Sequence, residues 1–164
     1  MITNSQTQTI DFGRKIAKFL KVNSTIALCG DLGAGKTTLV KGIAGGLGVN
    51  PKEVNSPSYV LVKEYRAKQI TLVHCDLYRL DKLEAVGRLG LEDYLREKCI
   101  LVIEWAEKGK DFLPDEYLQI DLSHCGENKR KIKIYSHGEK YRKVVEKIKT
   151  VTKSTTGKNT KIKV

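Results

Sequence analysis

The sequence predicts an α/β fold of three layers, with helices on both faces of a mixed, mostly parallel sheet that includes an antiparallel hairpin. The segment Gly30–Thr37 fits the pattern G-x-x-x-x-G-K-[ST] at every required position. A strand-like apolar run, 25–29, precedes it, and helically spaced apolar residues follow over 38–44. Two further apolar segments, 59–65 and 69–75, are joined by three residues and predict the hairpin. Strand, glycine-rich loop and helix in this order indicate a P-loop NTPase sandwich.

The remaining segments supply the other elements of this fold. Thr9 is the predicted N-cap of a first helix that runs to about Leu20. The fully apolar run Cys99–Ile103 predicts a buried central strand. The other predicted elements are short helices at 81–88 and 91–97, strands at 117–122 and 131–135, and a last helix at 139–149.

Length and composition indicate one domain with a basic extension. The chain has 164 residues, of which 40% are hydrophobic. We predict a single P-loop ATPase domain over 1–149 and a basic, disordered tail over 150–164, where the composition leaves little to bury. Residues 126–164 hold 13 Lys and Arg against 3 Asp and Glu, which is +10 of the net charge of +11.

The sequence also bears on location. The N-terminus shows no basic start followed by an apolar core, and no apolar run approaches the roughly 20 residues that span a bilayer. We therefore expect a cytoplasmic protein without a membrane segment. Cys29, Cys75 and Cys99 lie in apolar runs and are predicted to be buried thiols in a reducing compartment.

The glycine-rich loop is suited to bind nucleotide phosphates. Glycines let consecutive N–H groups face one anion, and the helix N-terminus adds partial positive charge. Lys36 can reach the β- and γ-phosphates, and the Thr37 hydroxyl can bind Mg²⁺. The alternative is a chance glycine-rich turn. The predicted nucleotide-binding residues are Asp31, Leu32, Gly33, Ala34, Gly35, Lys36, Thr37, Thr38 and Ser58.

Two acidic residues that end apolar strands are the predicted partners of this loop. Glu104 follows the central strand, at the end where ligands bind in open α/β sheets, and is predicted to hold Mg²⁺ together with Thr37. Asp76 is predicted to bind the metal through water or to orient the attacking water. The alternatives are a solvated acid for Glu104 and a helix cap or a salt bridge to Arg79 for Asp76. Lys36, Glu104 and Asp76 are the predicted catalytic residues.

The segment Ser56–Tyr59, before the hairpin, has the composition of a switch loop. The Ser58 hydroxyl is a candidate contact to Mg²⁺ or the γ-phosphate, and a simple turn is the alternative. The chain contains no N-K-x-D motif, which favours ATP over GTP but does not prove it.

Together these segments resemble the TsaE family, also called YjeE, the P-loop ATPases of bacterial tRNA threonylcarbamoyladenosine biosynthesis. The resemblance covers most of residues 8–135. Its most specific parts are His-x-Asp-x-Tyr-Arg at 74–79 and Ile-Glu-Trp at 103–105. The chain departs from the family at Ser58, where Thr is usual, and at Ala106, where Pro is usual. The other matching segments are 30–38, 56–65 and 91–94.

The resemblance implies an ATP-binding protein that hydrolyses ATP slowly alone and works with two partners, TsaD and TsaB. The modified base is the adenosine next to the tRNA anticodon, and the implied use of ATP is to reset the TsaD–TsaB assembly between turnovers. The implied roles are phosphate and Mg²⁺ contacts for Lys36 and Thr37, the principal acid for Glu104, a second acid for Asp76, a switch-like contact for Ser58 and a neighbouring role for Trp105.

Two other functions stay open from the sequence. A small-molecule P-loop kinase would need an acceptor pocket and a lid, and the segments between the motifs are short. A nucleotide-regulated RNA-binding module would contact tRNA phosphates directly through the basic region 126–164. A solvated, solubilising tail explains the same charge. The sequence therefore leaves two alternatives, direct contact with tRNA through this region or an indirect link to tRNA through the partners.

Overall fold

A mixed sheet of seven strands forms the centre of the computed structural model, which describes residues 1–67, 69–80 and 83–156. The strands are β1 (Ile2–Thr3), β2 (Ser24–Cys29), β3 (Val62–Arg66), β4 (Thr71–Asp76), β5 (Cys99–Glu104), β6 (Tyr117–His124) and β7 (Arg130–His137). Their order is β1-β7-β6-β2-β5-β4-β3. The four inner strands β6, β2, β5 and β4 are parallel, whereas β3, β7 and β1 pair antiparallel at the two edges. The predicted mixed sheet with a parallel core and a β3–β4 hairpin is confirmed.

Helices cover both faces of this sheet, which confirms the three predicted layers. The helices are α1 (Gln6–Ala17), α2 (Lys36–Leu47), α3 (Leu83–Gly87), α4 (Leu91–Arg96) and α5 (Glu139–Thr156), with 3₁₀ segments at Pro51–Glu53 and Ala106–Phe112. Buried side chains of α1, α2 and α5 join the core on one face. Side chains of α3, α4 and the second 3₁₀ segment join the core on the other.

The central strands alternate between these two cores. On β5, Ile100 and Val102 belong to the core beneath α1 and α2, while Leu101 and Ile103 belong to the opposite core. Because successive side chains of a strand point to opposite faces, a strand buried on both sides needs an unbroken apolar run. That requirement explains why the fully apolar run 99–103 predicted a central strand so clearly.

The first helix begins earlier than the sequence indicated. Its N-cap is Ser5, whose Oγ accepts the Gln8 N–H at 3.1 Å, and the helix ends at Ala17. The predicted cap, Thr9, is instead buried within α1, with its hydroxyl 2.8 Å from that of Thr3. The sequence prediction also missed β1, because two residues pairing with β7 are too short to show a period.

The strand predicted from residue 59 begins only at Val62. The Leu61 N–H donates to the Pro57 carbonyl at 2.6 Å, and Leu61 has a left-handed φ of 66°. This turn leaves Tyr59 82% and Val60 67% exposed, so their β-type side chains do not enter the sheet. These residues have the composition of a strand, but the turn after Pro57 keeps them out of the sheet.

The last helix is longer than predicted. It continues past residue 149 to Thr156, so the proposed domain boundary falls inside α5, and residues 157–164 lie outside the described residues. The helix predicted at 81–88 is α3, and its residues 81 and 82 likewise lie outside the description. In the described part of the chain, no helix combines the length and apolarity needed to cross a membrane.

Candidate nucleotide-binding site

The loop Gly30–Thr37 joins the end of β2 to the start of α2, and two of its glycines are required by geometry. Gly30 has a φ of 133°, and a Cβ there would lie 2.1 Å from the Leu122 carbonyl oxygen on β6. Gly35 caps α2 in a left-handed conformation with a φ of 101°. Any other residue at these positions would strain or displace the loop. The first turn of α2 directs its N–H groups, which have no intrahelical acceptor, toward the loop.

Lys36 lies on that first turn and is only 4% exposed. Its Nζ donates to the Gly30 carbonyl and, at 2.9 Å, to the Asp31 carbonyl. The same ammonium lies 3.8 Å from the ring centroid of Trp105, a cation–π contact. Burial lowers the pKa of Lys36 from its usual value, and the charge of Glu104 opposes that shift. A poorly hydrated cation at a helix N-terminus is well suited to neutralise phosphate.

Glu104 faces Lys36 and Thr37 from the end of β5 and connects the loop to β4. Its Oε2 accepts the Thr37 hydroxyl at 3.1 Å, and its Oε1 accepts the Nε2–H of His74 at 2.8 Å. Glu104 and His74 are both buried, and Nδ1 of His74 has no hydrogen-bond partner among the described residues. A carboxylate only accepts, so the ring carries its proton on Nε2. Glu104 is therefore held by both of its oxygens and is not the solvated acid of the alternative interpretation.

Asp76 is the direct neighbour of Glu104 in the parallel pairing of β4 with β5. Its Oδ2 accepts the hydroxyl of Ser56, and its Oδ1 accepts the N–H of Tyr78 at 2.9 Å. The second contact is a local turn and not the helix cap of the alternative, because no helix begins within the described residues 77–80. The predicted salt-bridge alternative is not formed, since the Arg79 guanidinium lies 4.0 Å from the ring of Tyr59.

These elements enclose a cleft of about 250 Å³ at the carboxyl ends of β2, β4 and β5. Most of the predicted site residues line this cleft. Asp31 and Ala34 do not: the Asp31 carbonyl binds Lys36, and Ala34 is buried in the core. The predicted residues along the cleft are Leu32, Gly33, Gly35, Lys36, Thr37, Thr38, Ser58, Asp76 and Glu104.

The structure adds four residues whose roles the sequence reasoning missed or left vague. His74 fixes Glu104, Ser56 contacts Asp76, and Trp105 covers the Lys36 ammonium. Arg130, on β7, lies beside the loop: a Cβ on Gly35 would be 3.6 Å from its Nε. His74 could have been found from its place two residues before Asp76, on the same face of the strand. Arg130 is 95 residues from Gly35 along the chain, and no local pattern connects them.

The donor set beside Lys36 fits magnesium. Thr37 and Glu104 offer two oxygens 3.1 Å apart, the hard ligands that Mg²⁺ prefers. The described residues contain no cluster of three or more His, Cys, Asp or Glu placed to hold a metal. A magnesium ion bound together with a nucleotide needs no such cage, because phosphate and water oxygens complete its coordination.

Fold and cleft together define a P-loop nucleotide-binding protein. The family model described as "Threonylcarbamoyl adenosine biosynthesis protein TsaE" matches residues 3–132. The chain belongs to the TsaE family.

Individual relatives agree with this assignment. The TsaE protein of Bacillus subtilis strain 168, named a tRNA threonylcarbamoyladenosine biosynthesis protein, is 36% identical over 141 residues, 86% of this chain and 87% of that protein. The TsaE protein of Aquifex aeolicus is 40% identical over 136 residues, 82% of this chain and 94% of that protein. The crystal structure of Bacillus subtilis YdiB superposes with a TM-score of 0.77 at 31% identity, covering 93% of this chain and 94% of that one.

Proposed function

We propose that this chain binds ATP with Mg²⁺ and hydrolyses it as the ATPase of tRNA threonylcarbamoyladenosine modification, acting on the TsaD–TsaB complex. The observation that carries the proposal is the 3.1 Å hydrogen bond from the Thr37 hydroxyl to the buried Glu104 carboxylate. This contact supports the proposal because it brings two oxygens of the kind that Mg²⁺ prefers next to the glycine-rich loop. The names of the relatives support the pathway, because the Bacillus subtilis and Aquifex aeolicus proteins are both called tRNA threonylcarbamoyladenosine biosynthesis proteins.

Phosphate binding is assigned to the loop and the first turn of α2. The backbone N–H groups assigned to the β- and γ-phosphates are those of the loop residues that line the cleft, Gly33, Gly35, Lys36, Thr37 and Thr38. Lys36 would exchange its carbonyl partners for phosphate oxygens. Trp105 limits where the Lys36 ammonium can move, since its ring packs against it. Arg130 supplies a second positive charge at the outer side of the loop.

Hydrolysis is assigned to the two acids. Thr37 and Glu104 would hold a magnesium ion, which would supply charge neutralisation for the phosphoryl transfer. Asp76 lines the same cleft, and its oxygens keep lone pairs beyond those used by Ser56 and Tyr78. Asp76 can therefore accept a hydrogen bond from an O–H of the attacking water and orient that water in line with the γ-phosphate.

The partner-sensitive part of the site is the loop around Ser56–Val60. Ser56 contacts Asp76, whereas Tyr59 and Val60, three and four residues further on, are highly exposed. A partner that packs against Tyr59 and Val60 moves the hydroxyls of Ser56 and Ser58 relative to the acids. TsaD and TsaB are the partners we assign to this surface, and because their substrate is tRNA we place the protein in the cytoplasm.

The test is phosphate release from ATP and Mg²⁺ by the chain alone and with purified TsaD and TsaB. We expect slow release alone and strong stimulation by the pair. Glu104→Gln is expected to lower the rate roughly 100-fold or more, while nucleotide affinity stays nearly unchanged. Glu53→Gln, at an exposed acid outside the cleft, is the matched control and is expected to behave as wild type.

Two results would overturn the proposal. Equal losses of nucleotide affinity in Glu104→Gln and Lys36→Ala would show that Glu104 has been given the wrong role. Transfer of label from γ-labelled ATP to a nucleoside or sugar, without free phosphate, would identify a small-molecule kinase instead.

A further inference from the structure

A second candidate site for anions lies away from the nucleotide cleft, between the end of α1 and the start of α5. A groove of about 270 Å³ runs between these helices. Its floor is apolar, and its rim carries exposed lysines from both helix ends. The rim residues, which define what is called the lysine groove below, are Lys18, Lys21, Lys140, Lys143 and Lys147.

The charges of the lysine groove are not balanced by acids. In the described part of the chain, none of its five lysines forms an ion pair with a carboxylate. Lys140 donates to the backbone carbonyl of Asn23 at 2.6 Å. Of the acids on α5, Glu139 pairs with Arg142 at 3.1 Å, and Glu146 forms no ion pair with the lysine one turn before it. The positive charge of the groove is therefore available to a ligand.

The spacing on α5 makes this charge a row rather than a scatter. Lys140, Lys143 and Lys147 are separated by three and four residues, so they follow one flank of the helix over about 10 Å. Glu116 lies at the start of this row, and its Oε1 accepts the backbone N–H of Lys140 at 3.0 Å. Its single negative charge leaves the five lysines with a net positive charge. Grouped like charges repel one another and raise the free energy of the folded chain unless an anion binds.

We propose that the lysine groove binds the phosphate backbone of RNA. All five rim cations are lysines, which act as point charges along a phosphate backbone. The three lysines of α5 follow one line over about 10 Å, as the phosphates of a nucleic-acid strand do. Ser24, at the start of β2, also lines the groove, whereas the glycine-rich loop follows the other end of that strand. The RNA site is therefore separate from the nucleotide site and goes beyond the proposed ATPase function.

The test is binding of a fluorescein-labelled, unmodified tRNA transcript to the full chain, followed by fluorescence anisotropy at several salt concentrations. Five neutralised phosphates predict roughly 500-fold weaker binding at about 200 mM than at about 50 mM salt. Lys143→Glu/Lys147→Glu is expected to bind about tenfold or more weakly, with a salt slope shallower by about 2. Lys52→Glu/Lys98→Glu changes the net charge equally at exposed lysines outside the groove, and is expected to stay within about twofold of wild type.

Three results would overturn this inference. Equal losses in the two double variants would assign the binding to net charge, and no loss in either would remove the groove from it. Tighter binding of a poly-glutamate peptide than of tRNA, lost in the groove variant, would assign the groove to an acidic protein segment.

Lys143→Ala/Lys147→Ala repeats the test without adding negative charge, and thermal unfolding and ATP binding check that each variant is intact. Failure of the ATPase proposal appears separately, as absent phosphate release with tRNA binding retained.

Discussion

Replacing His74 tests whether the buried imidazole positions Glu104. His74→Ala removes the N–H that Oε1 of Glu104 accepts at 2.8 Å and leaves a buried carboxylate with only the Thr37 hydroxyl. The other ring nitrogen makes no hydrogen bond among the described residues, so the loss comes from one hydrogen bond and from packing. The stability of the fold and the position of the Glu104 carboxylate depend on the same contact. The free energy of unfolding and the rate of ATP hydrolysis are therefore both expected to fall.

The size of the effect follows from the burial of the pair. A hydrogen bond to a charged group contributes about 1.5–3 kcal/mol, and truncating a large buried side chain adds the cost of a cavity. The imidazole is a neutral donor here, so its loss combines one such hydrogen bond with the cavity, and we take about 3–5 kcal/mol for His74→Ala. For a domain of this size it lowers the melting temperature by roughly 6–20 °C.

The assay compares His74→Ala with His74→Gln, by thermal unfolding and by phosphate release. A glutamine amide places an N–H close to the position of Nε2, so His74→Gln is expected to recover much of the rate. The conservative variant separates positioning from packing, because both variants remove the ring. Equal rates for Ala and Gln, or melting of His74→Ala within about 2 °C of wild type, would refute this role for His74.

Three further predictions concern other parts of the chain. Lys36→Ala is expected to weaken ATP binding at least about tenfold in calorimetry of the folded variant; unchanged affinity would contradict its phosphate role. Burial raises the pKa of Cys75 to about 12, so iodoacetamide at pH 8 is expected to alkylate the exposed Cys125 first, as mass spectrometry would show; early modification of Cys75 would contradict its burial. Tyr141→Phe is expected to cost about 1–3 kcal/mol in urea unfolding, because the buried N–H of Thr25 loses its 2.7 Å acceptor, and an unchanged midpoint would contradict that contact.

Much of the candidate site was predictable because parallel strands end at the same edge of a sheet. The sequence shows Glu104 and Asp76 each at the end of an apolar run, and β5 and β4 pair in parallel with these two residues side by side. The glycine-rich loop also follows a strand, so all three features meet at one edge. The residue types, their positions at strand ends and the rule that parallel strands end at one edge were together enough to predict that these residues share one cleft.

The parts that the sequence did not predict depend on contacts between distant segments. Thr9 has the residue type of a cap, but packing against Thr3 takes it into the interior of α1, and Ser5 caps the helix instead. His74 lies in an apolar strand without metal-ligand spacing, and only the neighbouring strand shows what its ring contacts. A single sequence records side-chain types and periods, whereas these roles arise from pairing across the sheet.

The basic C-terminal segment is helical further along the chain than its composition predicted, because α5 is anchored to the sheet. Tyr141 is buried, and its hydroxyl accepts an N–H of the central strand β2, which fixes α5 against the same sheet that carries the glycine-rich loop. The anchored helix turns its lysines toward those at the end of α1, at the start of β2. The six residues of β2 separate this groove from the loop by about 20 Å. If the lysine groove binds RNA as proposed, the two sites lie at opposite ends of one strand, so a nucleotide and an RNA phosphate backbone would not compete for the same cations.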